Sequence, residues 1–563
     1  MTPPEGAAGQ GEAGRGGRLA ATRPRVVMLV ANGVAGDSRV QKVAWSMAAA
    51  GWAVTLLGRA PADEFERYRL GAADVVLVPV PKPVSGYERA RRRGGAAAAK
   101  LRPAYREARA VLSARDAATG GGARSRVAAR LRGLLAAHPG ADGLVARCGR
   151  GPVGGAARQS AAAAFGAADR HGGWRSFNPW FADLELALAP TVRALEPDLI
   201  HAHDFHMVGI GARLAAELST PQRRVRWIYD AHEYLRGRDV PSRWDIRARM
   251  RRRMLVGVER EYIGRADAVV TVSDGIADRL VRDHGLGARP RVVLNAPVVD
   301  TRDRGPEGPG CPAPARDLRA DCGLGPDVPL LVYSGGMSPR RGVATAIEAL
   351  AGLAGVHLAL IAREQDPDIP ALIQRARERA VADRVHVVPY VPVDRVVPYI
   401  SGATVGLVPI LRLPNHELSL ITKYFEYLHA ALPIVTSDVR EMAAQTRRLG
   451  VGEVFRAGDP DGLAQAVRRV LADLDRYRAV YQGPNDPRPG SSWQGQASRL
   501  DALYREVLGL RPGPPRAAGE LMLLPDRPER AGKPGQGDQP GQAGQLSQPA
   551  AAEPVSAPPA QVR

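Results

Sequence analysis

Short apolar runs alternate with segments of helical hydrophobic spacing along most of the chain. In the first half the apolar runs lie at 26–30, 54–57, 75–78, 199–202, 225–229, 268–272 and 292–294. A helical pattern over 40–50 separates the first two runs. Strands that alternate with helices are typical of βαβ units and a parallel sheet. The first half is therefore predicted to form a doubly wound α/β domain over residues 24–300.

A second alternating series follows a Pro/Gly-rich passage at 305–310, where the periodicity breaks. Its predicted strands are 330–334, 356–361, 385–388, 405–409 and 433–436, and its predicted helices are 343–353, 371–381, 424–430 and 460–479. We assign 301–328 to a linker and 329–510 to a second doubly wound domain that ends in a closing helix at 494–508. Two such domains facing one another would bind ligands at the carboxyl ends of their strands.

Three segments fall outside this alternation. Residues 1–23 and 511–563 are rich in Gly, Pro, Ala and Gln and are predicted to be disordered tails, because this composition cannot offset its ordering entropy. Residues 81–175 interrupt the first domain with Arg, Ala and Gly but few strand-forming residues. We interpret this segment as a partly helical, partly flexible basic insertion, to which the sequence assigns no fold.

The net charge of +20 is concentrated in two places. Residues 82–175 carry 19 basic and 5 acidic side chains, and residues 236–260 carry 9 and 3. Such stretches attract anions, whether phosphorylated substrates, anionic lipid headgroups or nucleic acid. The insertion has only Tyr87 and Tyr105 as aromatic residues before Phe165, which disfavours nucleic acid because stacking platforms are scarce.

The remaining composition bounds the class of protein. The 3 cysteines form no CxxC pair, so neither a zinc site nor a disulfide framework is indicated. No apolar run approaches the roughly 20 residues that a membrane span requires, and the N-terminus lacks the apolar core of a signal peptide. We expect a cytoplasmic protein whose basic segments could contact an anionic membrane peripherally, on the inner face of the cell membrane.

The first chemically suggestive stretch is the sequence DLIHAHD at 198–204. His201 and His203 are two apart on a predicted strand and point to one face, and Asp204 follows at the strand's carboxyl end. Histidine can act as acid, base or hydrogen-bond donor near neutral pH. One of the two could equally satisfy a hydrogen bond in the core. A metal pair is less expected, because no third and fourth ligand follow at suitable spacing.

The sequence YDAHEY at 229–234 repeats this arrangement at the end of the next predicted strand. Asp230, His232 and Glu233 are expected to enter the same cleft from the neighbouring βα loop. The alternative is that Asp230 caps a helix and that the rest is an exposed turn.

In the second half, the sequence SGGMSPRRG at 334–342 follows a predicted strand and precedes a predicted helix. Backbone N–H groups of such a turn, with Arg340 or Arg341, could bind a diphosphate. The alternative is a purely structural glycine-rich turn.

The stretch from His416 to His429 contains Lys423 between Glu417 and Glu426. The chain has only 5 lysines against 73 arginines, so a lysine here suggests a point charge with particular geometry. Glutamates near a phosphate site suit recognition of sugar hydroxyls. The alternative is an ordinary amphipathic helix with surface Glu and Lys.

Taken in order, these motifs resemble the retaining GT-B glycosyltransferases of glycosyltransferase family 4. The resemblance covers about 25–80 and 185–510. It is carried by Asp37-Ser-Arg-Val40 with the helix after it, the DLIHAHD and YDAHE stretches, and the sequence ADAVVTVS at 266–273. In the second half it is carried by Lys423-Tyr-Phe-Glu-Tyr-Leu428 with Leu432-Pro433, and by Ser492-Trp493.

The resemblance implies transfer of a sugar from a nucleoside diphosphate sugar, bound by the second domain, to an acceptor held by the first. It implies no metal and no cofactor besides the nucleotide sugar itself, because basic groups neutralise the leaving diphosphate. It assigns catalytic roles to His203, Arg341 and Lys423. Donor binding falls to Gly335, Gly336, Arg340, Glu417, Thr422 and Glu426. The acceptor side falls to Asp37, Arg39, Asp204, His232 and Glu233.

The chain departs from the family pattern at four positions. Glu417 and Glu426 are nine residues apart, one more than usual, and Gly336 replaces a common Arg. Ala431 replaces a common Gly and Thr404 a common Asp. Two alternatives stay open: a GT-B sugar epimerase of the UDP-N-acetylglucosamine 2-epimerase kind, which needs no acceptor, and a catalytically weak membrane-docking relative.

Overall fold

A computed structural model describes seven stretches of the chain: 23–93, 96–118, 179–240, 245–298, 316–363, 365–391 and 395–511. The predicted tails, apart from Arg23 and Arg511, lie outside these described residues. So do residues 119–178, most of the basic insertion, and 299–315, most of the predicted linker. None of the described helices is both long enough and apolar enough to cross a bilayer.

The N-terminal domain is built on an eight-stranded sheet in the order β3-β4-β2-β1-β5-β6-β7-β8. Its strands are β1 (Arg25–Leu29), β2 (Ala53–Arg59), β3 (Glu66–Leu70), β4 (Ala73–Val78), β5 (Leu199–His203), β6 (Arg226–Ala231), β7 (Ala268–Thr271) and β8 (Arg291–Val292). Every pair is parallel except β3 with β4. The sequence missed β3, because an edge strand that is polar on its exposed side has no apolar run.

The helices of this domain cover both faces of the sheet, which buries apolar residues on each side. They are α1 (Ser38–Ala49), α2 (Pro83–Arg93), α3 (Ala96–Ala118), α4 (Pro179–Leu195), α5 (Asp204–Leu218), α6 (Ile246–Tyr262) and α7 (Asp274–His284). The described part of the basic insertion is thus helical. Its helix α2 is held by Asp183 of α4, whose carboxylate accepts from the N–H groups of Val84 and Ser85 at 2.9 and 3.0 Å.

The C-terminal domain is built on a six-stranded parallel sheet in the order β11-β10-β9-β12-β13-β14. Its strands are β9 (Leu330–Ser334), β10 (His357–Ala362), β11 (Val385–Pro389), β12 (Val405–Val408), β13 (Ile434–Ser437) and β14 (Gly452–Phe455). Its helices are α8 (Leu318–Asp321), α9 (Val343–Ala349), α10 (Ile369–Glu378), α11 (Val396–Ile400), α12 (Thr422–His429), α13 (Arg440–Leu449), α14 (Pro460–Ala472) and α15 (Leu474–Ala479). The predicted pair of doubly wound domains is confirmed.

The last helix, α16 (Trp493–Leu508), crosses back to the N-terminal domain. Its apolar face packs into the core around β1 and α1 through Trp493, Leu500 and Tyr504, all buried. The Trp493 indole N–H also donates to Ser46 Oγ of α1 at 2.9 Å. The boundary predicted at 510 therefore needs correction, since the closing helix belongs to the first core although it follows the second domain in sequence.

The predicted linker also needs correction at its end. Leu318 and Cys322, at the two ends of α8, are buried in the C-terminal core with Val332 and Ile400. The second domain therefore begins before residue 329, at about the start of α8.

We predict that Trp493→Ala lowers the free energy of unfolding of the N-terminal domain by about 3 to 5 kcal/mol, the usual cost of truncating a buried aromatic side chain. Urea denaturation measures the change. The control is Phe65→Ala, which removes a side chain that is 58% exposed and should change stability by less than about 0.5 kcal/mol. Equal stability of the two variants would contradict the packing of α16.

Candidate functional site

Strands β5 and β6 end side by side and bring the two histidine-containing motifs together. His203 pairs in register with Asp230. His201 and His203 share one face of β5, as predicted, with ring centroids 4.1 Å apart, and both are fully buried. Asp230 lies within β6 and is also fully buried. The alternative of Asp230 as a helix cap in an exposed turn is therefore wrong.

Arg39 of α1 forms a buried ion pair with Asp230. Its Nε and Nη2 donate to the two carboxylate oxygens at 2.9 and 2.8 Å, and its Nη1 donates to the carbonyl of Val293 at 2.8 Å. The two side chains are 4% and 0% exposed. Arg39 was predicted to lie on the acceptor side, but the structure makes it an internal anchor. Breaking such a pair on one side typically costs about 3 to 5 kcal/mol, because it leaves a buried charge uncompensated.

Asp230 is also the centre of a histidine cluster. Its Oδ2 lies 3.2 Å from His203 Nδ1, 3.3 Å from His232 Nε2 and 3.9 Å from His201 Nε2. Burial alone would raise the pKa of Asp230, but Arg39 and the histidines hold it well below its usual range. Burial likewise opposes charge on His232, yet Asp230 raises the pKa of this histidine. An ionised Asp230 thus orients the imidazoles of His203 and His232.

His201 has a structural role in the core. Its Nδ1 is hydrogen-bonded to the hydroxyl of Tyr504 at 2.6 Å, and burial lowers its pKa. His201, His203 and Asp230 place their possible ligand atoms within 4.8 Å of one another, so Asp230 supplies the third donor that spacing along one strand could not reveal. The donor set fits a divalent cation poorly, because the Arg39 guanidinium already binds both oxygens of Asp230.

The acceptor-side carboxylates lie at the edge of this cluster. Asp204 begins α5 with a φ of 63°, a left-handed conformation that is costly for a residue with a side chain. Its carboxylate accepts from the Phe205 N–H at 2.8 Å and lies 3.1 Å from His206 Nδ1. Burial raises the pKa of Glu233 to about 7, with Arg238 at 3.4 Å opposing and Asp204 reinforcing the shift. Glu233 is therefore poised to exchange a proton near neutral pH.

Asp37 has a local structural role. Its carboxylate accepts from the Val40 N–H at 3.2 Å and from Asn32 Nδ2 at 2.8 Å, which caps α1. Asp37 was predicted on the acceptor side, but the structure shows it capping the helix that carries Arg39.

The loop after β9 differs from its prediction. Its amides at Gly335, Met337 and Arg341 donate within the protein, to Ile361 O, Asp366 Oδ2 and Ser338 O at 3.0, 3.3 and 2.8 Å. These three N–H groups are therefore already paired within the protein and are not the ones that a diphosphate would meet. Arg340, predicted at the donor, instead pairs across the interdomain cleft with Asp239 at 3.2 Å.

Glu426 and Arg341 both lie close enough to Lys423 to affect its charge. Burial lowers the pKa of Lys423 to about 8, with Glu426 opposing and Arg341 adding to the shift. Burial raises the pKa of Glu426, and Lys423 and Lys42 oppose this. Gly335 makes room for the lysine, since a Cβ on this residue would lie 2.0 Å from Lys423 Cε. The alternative of a surface Glu and Lys on an ordinary amphipathic helix is wrong, because Glu426 is buried and the half-buried Lys423 packs against Gly335.

Glu417, predicted to bind sugar hydroxyls, is held elsewhere. Its carboxylate accepts from Arg412 Nε at 2.7 Å and from the Arg440 N–H at 2.9 Å. The carboxylate of Glu417 is thus tied to its own loop after β12 through Arg412 and to the start of α13 through Arg440.

The structure shows the surroundings of the other three departures from the family pattern, Gly336, Ala431 and Thr404. Within the described part of the chain, a Cβ at Gly336 would have no atom within 4 Å, so the position of the common Arg has room for a side chain. Ala431 adopts a φ of 53°, which explains why Gly is common at that position. Thr404 accepts through Oγ1 from the Leu330 N–H at 3.0 Å and from Arg319 Nη2 at 3.2 Å, so it joins α8 to β9.

The sequence missed Lys42 and Asn295. Lys42 of α1 is 2% exposed and donates to Asn295 Oδ1 at 2.8 Å and to the Ala296 carbonyl at 2.5 Å. Asn295 in turn donates through Nδ2 to Thr422 Oγ1 of α12 at 3.0 Å. The scarcity of lysine was a usable signal, since Lys42 and Lys423 are two of the chain's 5 lysines and both act on Glu426.

Comparison with known families places this geometry. Residues 153–301 match the family model described as Glycosyltransferase Family 4, and residues 328–473 match Glycosyl transferases group 1. Together the two matches span more than half of the chain. The chain therefore belongs to the group 1 glycosyltransferases of the family 4 type, which confirms the predicted resemblance.

Curated relatives are similar over part of their length. The chain is 28% identical to the alpha-maltose-1-phosphate synthase of Mycolicibacterium smegmatis, over 44% of this chain and 66% of that protein. It is 26% identical to the D-inositol 3-phosphate glycosyltransferase of Nocardia farcinica, over 48% of this chain and 59% of that protein. The chain thus spans less than two thirds of these two relatives.

Solved structures share the fold. The sucrose-phosphate synthase of Thermosynechococcus elongatus superposes with a TM-score of 0.56 at 17% identity, over 86% of this chain and 100% of that one. The Anabaena protein HepE in complex with UDP-glucose superposes with a TM-score of 0.50 at 12% identity, over 86% and 100%. These structures support the GT-B architecture predicted for the chain.

We predict that Lys42 makes stability depend on pH. Burial lowers its pKa from 10.5 to about 7. Between these values the unfolded chain binds a proton that the folded chain does not, so the contribution of Lys42 to stability rises with pH and is complete above about 10.5. Thermal unfolding of the wild type and of Lys42→Met from pH 6.5 to 10 measures it. The melting temperature of the wild type should rise relative to that of the variant across this range, and parallel curves would contradict the lowered pKa of Lys42.

Proposed function

We propose that the chain transfers a glycosyl group from a nucleoside diphosphate sugar to an acceptor, with retention of anomeric configuration. The observation that carries the proposal is the pair of half-buried Lys423 and buried Glu426, one turn apart on α12, with Arg341 near enough to lower the pKa of Lys423. A glutamate between two lysines, one of which lies near an arginine, suits a ligand with hydroxyls and a diphosphate. Family membership supports the same reaction, and the structural neighbour HepE was crystallised with UDP-glucose.

The two halves divide the chemistry. Arg341 and Lys423 would neutralise the diphosphate as it leaves, an electrostatic form of catalysis that requires no metal. Glu426 would accept hydrogen bonds from the ribose. On the other side, His203 would lie near the transferred sugar, oriented by Asp230 at 3.2 Å. Asp204, His232 and Glu233 would meet the acceptor, with Glu233 able to take a proton because its pKa is raised to about 7.

The cleft between the domains supports this division. Asn415 of the C-terminal domain accepts from the Tyr234 N–H at 3.2 Å and lies 3.4 Å from Glu233 Oε2. Arg340 and Asp239 join the same two sides. A donor in one domain and an acceptor in the other would therefore be brought together by contacts next to Glu233.

We predict that Arg341→Ala lowers donor turnover at least about a hundredfold, a loss typical of removing a group that stabilises charge at the reacting centre. Glu426→Ala should also lower donor turnover, because the ribose would lose a charged hydrogen-bond acceptor worth about 1.5 to 3 kcal/mol. Nucleotide sugars of UDP, GDP and ADP are first screened by thermal shift, since a ligand of the folded state raises its stability. Release of the nucleoside diphosphate is then measured with the sugar that binds. Arg476→Ala, an exposed arginine on α15, is the control. Turnover near the wild-type rate in either site variant would remove that residue from the site.

We also propose that the protein acts in the cytoplasm and contacts anionic membranes through its basic helices. Arg102 and Arg106 of α3 are exposed, as are Arg249 and Arg253 of α6. Helix α3 packs against α4 and α5, and α6 against α5, so both basic helices lie on the acceptor-side domain. A membrane bound there would present a phosphorylated or lipid-linked acceptor.

We predict that the four substitutions Arg102→Gln, Arg106→Gln, Arg249→Gln and Arg253→Gln together weaken binding to vesicles containing phosphatidylglycerol by about tenfold or more, because each basic residue near an anionic surface contributes about 1 kcal/mol. Vesicle sedimentation at 0.1 M salt measures this. The control carries Arg476→Gln and Arg478→Gln on α15, which remove positive charge from the other domain. Vesicles of phosphatidylcholine should bind neither the wild type nor the fourfold variant. Equal binding by the fourfold variant and the wild type would overturn the membrane proposal.

A further inference from the structure

Lys42 is a buried cation that the proposed mechanism does not use. It lies on α1 of the N-terminal domain, one turn after Arg39, and is 2% exposed. Its Nζ lies 4.7 Å from the ring centre of Trp493. Burying a lysine in this way is costly. Two of its three N–H donors are accounted for by Asn295 and Ala296, both on the segment that leads out of the N-terminal domain.

The backbone of that segment is held by hydrogen bonds with α1 and α16. The Val293 carbonyl accepts from Arg39 at 2.8 Å, and the Leu294 N–H donates to Gln496 Oε1 at 3.0 Å. The Pro297 carbonyl accepts from the Trp493 N–H at 2.9 Å. We call residues 293–297 the crossover segment. Its backbone is fixed by α1 and α16, so the side chain of Asn295 is presented from a rigid base.

The Asn295 side chain connects the two domains. It accepts from Lys42 at 2.8 Å through Oδ1 and donates to Thr422 Oγ1 at 3.0 Å through Nδ2. The hydrogen bond from Lys42 fixes which way the amide points, because only its oxygen can accept from an ammonium group. Thr422 is the first residue of α12, the helix that carries Lys423 and Glu426. A hydrogen-bonded path therefore runs from α1 to the start of α12.

Lys42 also acts on Glu426 through charge. The carboxylate is 6% exposed, and Lys42 from one domain and Lys423 from the other both favour its ionised form. A buried carboxylate with only one nearby cation would take up a proton more readily. An ionised glutamate is the form that accepts two hydrogen bonds from neighbouring hydroxyls.

We propose that Lys42 is a positioning residue of the donor site, which acts through Asn295 and Thr422 on α12 and through charge on Glu426. The N-terminal domain thereby helps to set the affinity of the C-terminal domain for the nucleotide. The inference rests on the proposed function, since it takes Glu426 to bind the ribose.

The first test is calorimetric titration of the full-length protein with whichever of UDP, GDP and ADP binds the wild type. Lys42→Met should raise the dissociation constant about tenfold. Its melting temperature at pH 7 should not fall by more than a few degrees. The variant loses the hydrogen bonds of Lys42, but it also loses the cost of burying a charge, and the two effects offset one another. Arg476→Met, which removes an exposed cation from α15, should bind as the wild type does. Weaker nucleotide binding in a protein that stays folded is a result that a purely structural lysine would not give.

The second test is Thr422→Val, which keeps the shape of the side chain and removes the hydroxyl that accepts from Asn295. It should weaken nucleotide binding by about threefold or more and should speed amide exchange in residues 422–429. In the double variant with Lys42→Met the two effects should be less than additive, because both substitutions interrupt one path. This variant also keeps the inference testable if Lys42→Met fails to fold.

The outcomes separate the inference from the function beneath it. If the wild type binds none of the three nucleotides, or if Glu426→Gln binds like the wild type, the proposed function fails and the inference falls with it. If Glu426→Gln loses affinity while Lys42→Met or Thr422→Val retains it, the donor site stands and the role of Lys42 is overturned. Strictly additive effects of the two substitutions would likewise overturn the hydrogen-bonded path.

Discussion

The buried ion pair of Arg39 and Asp230 is the constraint on which the acceptor-side geometry depends. Both charges are almost fully withdrawn from water, so each is tolerated only while the other is in place. The pair joins α1 to β6 and, through the Val293 carbonyl, to the crossover segment. Because the same carboxylate lies beside His203 and His232, the position of α1 also determines the charge state and orientation of these histidines.

Helix α1 carries a second buried cation one turn later, and the two have different tasks. Arg39 binds a carboxylate of its own domain with a rigid fork of donors, whereas Lys42 uses a compact ammonium group to reach Asn295 and Ala296. The proximity of Arg39 adds to the lowering of the pKa of Lys42. Helix α1 thus contacts both the histidine cluster and, through Asn295, helix α12. The proposed acceptor and donor sites are therefore both held in place by α1.

The two glutamates of the cleft, half-buried Glu233 and buried Glu426, show how environment divides the chemistry. Burial raises the pKa of both Glu233 and Glu426. Glu233 has Arg238 nearby but also Asp204, and its pKa of about 7 suits proton exchange. Glu426 lies between two lysines, which suits an ionised hydrogen-bond acceptor. The same residue type can therefore serve an acceptor hydroxyl on one side of the cleft and a ribose on the other.

The sequence by itself determined the two doubly wound domains, the family, the strand ends near which His203 and Glu233 lie, and the helix that carries Glu426, because hydrophobic periodicity and motif order are local properties of the chain. Only the tertiary structure decided which polar residues meet. Asp230 and Arg39 are 191 positions apart, and Lys42 and Asn295 are 253 apart. The tertiary structure also packs α16 into the N-terminal core and pairs Glu417 with Arg412. It gives Asp37 and Arg340 partners within the protein that differ from their expected roles. Such partnerships depend on strand order and on packing between distant segments, which spacing along the chain does not encode.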